Sequence, residues 1–135
     1  MARTGVVIGV SGQIGTAVAR RMLAAGWIVR GLHEASTPLP TDLAAVEVTV
    51  GDRNDDGTLS GLLSDGADGV VDTIAYTSKH AYQLLAHAEG IGALTVISSI
   101  AVYADDQGHS IANGSQSAKP NRSCRRPTRP TAEAK

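Results

Sequence analysis

The sequence predicts an α/β domain in which a parallel sheet of about five strands is doubly wound, with helices on both faces. Three observations predict it. Short β-branched runs alternate with amphipathic stretches of helical length. A glycine-rich turn joins the first strand to the first helix. Apolar residues make up 42% of the 135 residues, and they are mostly Ala, Val, Ile and Leu, with no Phe, one Trp and three Tyr. Such a set suits buried parallel strands with small residues at the helix contacts.

Residues 4–10 (TGVVIGV) form the first strand. A helix follows from Gln13 to Ala25, with Ile14, Val18, Met22 and Ala25 expected on its inner face. Arg20 points away and Arg21 sits at the edge, where its stem can cover apolar surface. Gly26 stops the helix. Residues 27–32 (WIVRGL) form the second strand. Thr37-Pro38-Leu39-Pro40 is loop, because two prolines exclude both helix and central strand. Residues 46–50 (VEVTV) form the third strand. A helix over 55–64 carries Leu59, Leu62 and Leu63, weakened by Gly57 and Gly61. Residues 69–75 (GVVDTIA) form the fourth strand. A helix over 78–89 has Tyr82, Leu85 and Glu89 at spacings of three and four, and residues 93–98 (ALTVIS) form the fifth strand. Right-handed crossovers leave few arrangements, and the expected strand order is 3-2-1-4-5, with the switch point between strands 1 and 4, above their C-terminal ends.

Composition bounds the function classes. No apolar run approaches the ~18 residues of a membrane span, and Met1-Ala2-Arg3-Thr4 does not open a signal peptide. The single Cys124 excludes an internal disulfide framework and a CxxC metal site. The expectation is a cytoplasmic protein. The net charge of −1 hides an asymmetry. Residues 1–109 hold six Lys and Arg against twelve acids, whereas residues 110–135 hold six against Glu133 alone. Residues 113–135 contain no aromatic and no Val, Ile, Leu or Met, too little apolar surface to offset the entropy of ordering. The expected division is an incomplete domain over 1–110 and a disordered basic tail over 111–135. Binding of nucleic acid through the Arg-rich tail is the weaker alternative, since no aromatics are interleaved to stack on bases.

Gly9-Val10-Ser11-Gly12-Gln13-Ile14-Gly15 is a GxxGxxG loop between a buried strand and an amphipathic helix. Gly9 permits the tight turn, Gly12 lets backbone approach a pyrophosphate, and Gly15 lets the helix pack on the sheet. The helix N-terminus offers free N–H groups to phosphates, with Ser11, Gln13 and Ile14 completing the cradle. This points to a Rossmann-like dinucleotide site for NAD(H) or NADP(H). His33 and Glu34 close the second strand. Glu34 can accept from the adenosine ribose and would repel a 2′-phosphate, which favours NAD; the bland reading is a solvated loop acid. Asp52, in Gly51-Asp52-Arg53, can accept from the adenine amino group or cap the next helix, a task for which Asp55 is better placed. Asp72, an acid inside an apolar strand, must be paired or protonated, and near the mouth it could stay partly wet. Ser98-Ser99 can meet a substrate oxygen or simply satisfy a turn. His33, His80, His87 and His109 show no metal-ligand spacing and are read as surface or loop residues, so no metal site is expected.

These pieces, together with VVDTIAYT at 70–77 and VISSIAVYAD at 96–105, resemble the short-chain dehydrogenase/reductase superfamily. The branch they resemble is the extended and atypical NAD-dependent epimerase/dehydratase group, and the likeness covers residues 4 to about 110. The stretch 72–77 is similar to the branch with chloroplast stem-loop RNA-binding proteins and related bacterial reductases. The resemblance implies an active-site role for Ser99, a backbone contact to the cofactor at Ala75, and an adenine-side loop at Asp52 and Arg53. It implies hydride transfer at an alcohol or ketone carbon, with a nucleotide sugar as one substrate class. The superfamily's Tyr-x-x-x-Lys acid/base pair has no match: Tyr76 is followed by Lys79 at the wrong spacing, and Gln107 stands four residues after Tyr103. The chain is therefore expected to bind dinucleotide but to be catalytically incomplete, as a truncated or frame-shifted product would be. A non-catalytic sensing module is the alternative. An open edge on the fifth strand favours self-association into a homo-oligomer.

Overall fold

The computed structural model describes residues 1–34 and 38–98. Five strands form one sheet in the order β3-β2-β1-β4-β5: β1 Thr4–Ile8, β2 Ile28–His33, β3 Glu47–Val50, β4 Gly69–Asp72 and β5 Leu94–Val96. Every pairing is parallel. Helix α1 (Gln13–Ala24) links β1 to β2, α2 (Asp56–Leu63) links β3 to β4, and α3 (Ser78–Leu85) links β4 to β5. Between β2 and β3 the described residues include a 3₁₀ turn, Thr41–Leu43, and no α-helix. The predicted topology is the one observed.

Alternation along the buried strands builds two cores. Val6, Ile8, Leu32 and Val70 pack with Leu59, Leu62 and Leu63 of α2 and Leu84 of α3. On the other face Val7 and Val29 pack with Val10, Ala19, Leu43 and Val46. Successive side chains of β1 thus serve opposite faces, as a period of two requires.

Two helices present different faces from those the periodicity suggested. On α1 the buried residues are Gly15, Thr16 and Ala19. Ile14 is 47% exposed and lines an open groove of about 750 Å³, and Ala25 is exposed, whereas Val18 and Met22 pack half-buried against the core as expected. Small side chains win the inner position because they let the helix axis come close to the sheet. On α3 the buried residues are His80 and Leu84, while Tyr82 and Leu85 face outward. This helix ends at Leu85, and a separate 3₁₀ turn covers Ala88–Gly90, so the expected helix over 78–89 is shorter and rotated. No helix among the described residues is long and apolar enough to cross a membrane.

The α1 assignment can be checked by urea denaturation. Ala19→Leu should overfill the helix–sheet contact and cost about 1–3 kcal/mol, whereas Ile14→Ser should stay within about 0.5 kcal/mol of the parent.

Candidate functional site

The loop after β1 is built by three contacts. Gly9 and Val10 both donate to the carbonyl of Leu32 (2.9 and 3.0 Å), and Gly12 donates to that of Gly9 (3.1 Å). Gly9 has φ +83°, a backbone only glycine adopts without strain. A Cβ on Gly15 would lie 2.1 Å from the Gly9 carbonyl oxygen, so helix and loop touch backbone to backbone. Gly12 differs. Its φ of −74° and ψ of 166° suit any residue, and a Cβ there would meet only the Gly9 oxygen, at 3.4 Å.

Helix α1 starts without a side-chain cap and with no acid in its first turn. Among the described residues, the N–H groups of Gln13, Ile14 and Gly15 find no acceptor. The other two helices are capped: Asp55 accepts from Thr58 N (2.7 Å), and Thr77 Oγ1 accepts from His80 N (3.4 Å). Beside the open end of α1, Thr73 donates from N (3.0 Å) and Oγ1 (2.9 Å) to the Ile8 carbonyl, pinning the fork between β1 and β4.

The remaining expected residues line the same end of the sheet. His33 closes β2, half-buried, and its Nδ1 is buried with no hydrogen-bond partner among the described residues. Glu34 follows, exposed. Asp52 is exposed in the β3–α2 loop and Ala75 half-buried in the β4–α3 loop. Asp52 Oδ1 accepts from Asn54 N (2.7 Å) and Asn54 Nδ2 (2.9 Å), bonds that hold its carboxyl below the ordinary value. Ser99 and the tail lie outside the described residues. No cluster of three or more His, Cys, Asp or Glu among the described residues could hold a metal.

Two readings need correction. Asp72 is not partly wet: it is wholly buried and paired with the equally buried Arg53, whose Nε and Nη2 donate to Oδ2 at 3.0 and 2.7 Å. Asp72 Oδ1 accepts from Ile74 N (3.0 Å). Arg53 also donates to Gln83 Oε1 (2.7 Å) and to the His80 carbonyl (3.1 Å). Its guanidinium thus points into the protein. Nor is His80 a surface residue; it is 6% exposed and bonded on both ring nitrogens. Burial of both side chains follows from the shared need of Asp72 and Arg53 for a partner in an apolar setting. The lone acid in strand four signalled this network, but its partner stands 19 residues away in another loop.

A family model described as "NAD dependent epimerase/dehydratase family" matches residues 6–85. The chain belongs to this family. The loop after β1, the β3–α2 loop and β4 of this chain all fall within the matched segment. A comparison with curated proteins finds no match. Among solved structures, a candidate epimerase from Burkholderia cenocepacia is 26% identical, with a TM-score of 0.61, over 75% of this chain and 39% of that one. Uronate dehydrogenase from Agrobacterium tumefaciens, complexed with NAD, is 20% identical, with a TM-score of 0.59, over 77% and 43%. The enzyme WbmH of Bordetella bronchiseptica, in complex with NAD+, is 21% identical, with a TM-score of 0.55, over 66% and 36%. The chain thus spans well under half the length of these three structures.

The buried pair predicts a stability series. Arg53→Met should cost about 3–5 kcal/mol by leaving Asp72 unpaired, and adding Asp72→Leu should recover most of the loss. Acid unfolding gives a second check. The Thr58 hydroxyl and amide hold the Asp55 carboxyl below its ordinary 3.8. A lowered folded value means the cap stabilises fully above the ordinary value and is lost as pH falls through the lowered one. Asp55→Asn should therefore lose less stability than the parent between about pH 4 and pH 2.

Proposed function

We propose that residues 1–110 bind NAD across the C-terminal ends of β1 and β4, with the pyrophosphate on the N-terminus of α1. The observation that carries this is Gly12. Gly9 and Gly15 are required by the protein's own backbone; no described residue requires Gly12, and the space beside it suits a ligand that approaches the backbone closely. The three unaccepted N–H groups and the positive end of the helix dipole suit a diphosphate. The residues present fit the dinucleotide on this ground, and the orphaned Nδ1 of His33 adds a polar atom awaiting a partner. NAD-bound neighbours of the same fold support the choice of ligand.

In this reading Glu34 accepts from the adenosine ribose, Asp52 accepts from the adenine amino group, and the main chain at Ala75 lies along the cofactor. Arg53 contributes by shaping the adenine-side loop from below. A dinucleotide held there would supply hydride chemistry at a substrate carbon, in keeping with the epimerase and dehydratase family. Ser99 is assigned to orient a substrate oxygen. The proton that accompanies hydride needs a positioned acid/base, worth about 10²–10⁴-fold in rate. The 135 residues contain no Tyr-x-x-x-Lys, and we assign this chain dinucleotide binding without turnover. Residues 111–135 are assigned no part in binding.

Calorimetric titration tests the reading. NADH should bind more tightly than NADPH, because Glu34 repels a 2′-phosphate; the reverse order would remove Glu34 from the site. Gly12→Val should abolish binding while leaving the circular dichroism spectrum unchanged, and normal binding by that variant would show that no phosphate sits on α1. Incubation with NAD, alcohols and nucleotide sugars should produce no NADH absorbance. Turnover that disappears in Ser99→Ala would refute the assignment of binding without catalysis.

A further inference from the structure

The β3–α2 and β4–α3 loops both flank the proposed adenine pocket, yet no backbone hydrogen bond joins residues 51–55 to residues 73–77. Side chains join them instead. Tyr76 N donates to His80 Nδ1 (3.0 Å), and His80 Nε2 lies 2.9 Å from Asn54 Oδ1. Asn54 Nδ2 lies 2.9 Å from Asp52 Oδ1. The direction of this chain of bonds is forced from both ends. A backbone N–H can only donate, so Nδ1 carries a lone pair and the ring is neutral with its proton on Nε2. That proton goes to Asn54 Oδ1. The carboxylate of Asp52 can only accept, so the Asn54 amide must present its NH₂ there. Each ambiguous group has one orientation left.

We infer that His80 is a positioning residue for adenine recognition, aiming the Asp52 carboxylate through Asn54. The inference rests on the proposed dinucleotide site. His80 is anchored for the task. Its carbonyl accepts from Arg53, itself locked on Asp72, and its ring lies buried in the first turn of α3. Asn54, by contrast, is exposed and has no packing to fix its amide. Lys79 Nζ donates to the Asn54 carbonyl (2.9 Å), holding the main chain but not the side chain. With Oδ1 of Asp52 occupied by Asn54, Oδ2 is left to accept from a 6-amino group.

The test measures preference for NAD over nicotinamide hypoxanthine dinucleotide, in which a carbonyl replaces the adenine amino group. The full chain should prefer NAD by about tenfold, the worth of one hydrogen bond to a charged group. Asp52→Ala should erase the preference; Asn54→Leu keeps the backbone bond from Asn54 N to Asp52 Oδ1 (2.7 Å) but frees the carboxylate to rotate about it, and should reduce the preference several-fold. His80→Gln keeps a donor near the Nε2 position and should retain it, whereas His80→Asn keeps only the acceptor near Nδ1 and should lose it. A merely structural role would lower the melting temperature of both His80 variants without separating their preferences. Equal preference in Asn54→Leu and parent would overturn the inference, as would a ring ¹⁵N spectrum showing His80 protonated on Nδ1. A parent chain that binds neither dinucleotide would overturn the proposed function itself, and the ring spectrum would still report on the relay.

Discussion

Between Gly9 and Gly15 the first strand's exit loop and the first helix approach so closely that no Cβ fits at the helical position. The rest of the site depends on that contact. It sets α1 directly over the C-terminal end of β1, which brings to the switch point of the sheet three N–H groups that find no acceptor among the described residues. It also requires small residues along the inner face of α1, which is why Thr16 and Ala19 are buried while Ile14 is exposed. The loop is braced from below by Gly31, where a Cβ would lie 2.7 Å from Val10 Cγ1. Hydrophobic burial alone could not achieve this placement, because it is non-directional.

Directional bonds do the corresponding work on the adenine side. The cores are almost wholly aliphatic, and aliphatic packing tolerates small slips of one loop past another. The buried Arg53–Asp72 pair does not, since its two donors meet one carboxylate oxygen at fixed distances. From this anchor, contacts run outward through the His80 carbonyl and ring to Asn54 and Asp52. A buried charge pair is thus linked by hydrogen bonds to an exposed carboxylate. Replacing such a pair by apolar residues of similar volume is often neutral for stability, so its value here lies in orientation.

The fold was highly legible in the sequence. Strands five to seven residues long, rich in Val and Ile, stood between turn residues, and the handedness of crossovers left few strand orders. The glycine loop was equally legible, because Gly9 and Gly15 answer steric needs that other residues cannot meet. Helix faces were less so. On α1 and α3 the apolar spacing named Ile14, Tyr82 and Leu85, yet the sheet takes Ala19, His80 and Leu84. A helix of two or three turns carries more than one plausible stripe, and sequence does not say how near its axis comes to the sheet.

The sequence by itself determined the sheet, its order, the dinucleotide loop and the presence of one misplaced acid, all of which follow from local sterics and from periodicity. Only the tertiary structure decided what that acid does. Asp72 and Arg53 meet because the third crossover returns the chain beside β1, and His80 is buried because α3 is rotated to place it there. Such partnerships join residues distant in the chain, and nothing in the spacing of either residue announces the other. Local geometry is written in neighbouring residues; the pairing of buried charges is settled where strands and loops come together in space.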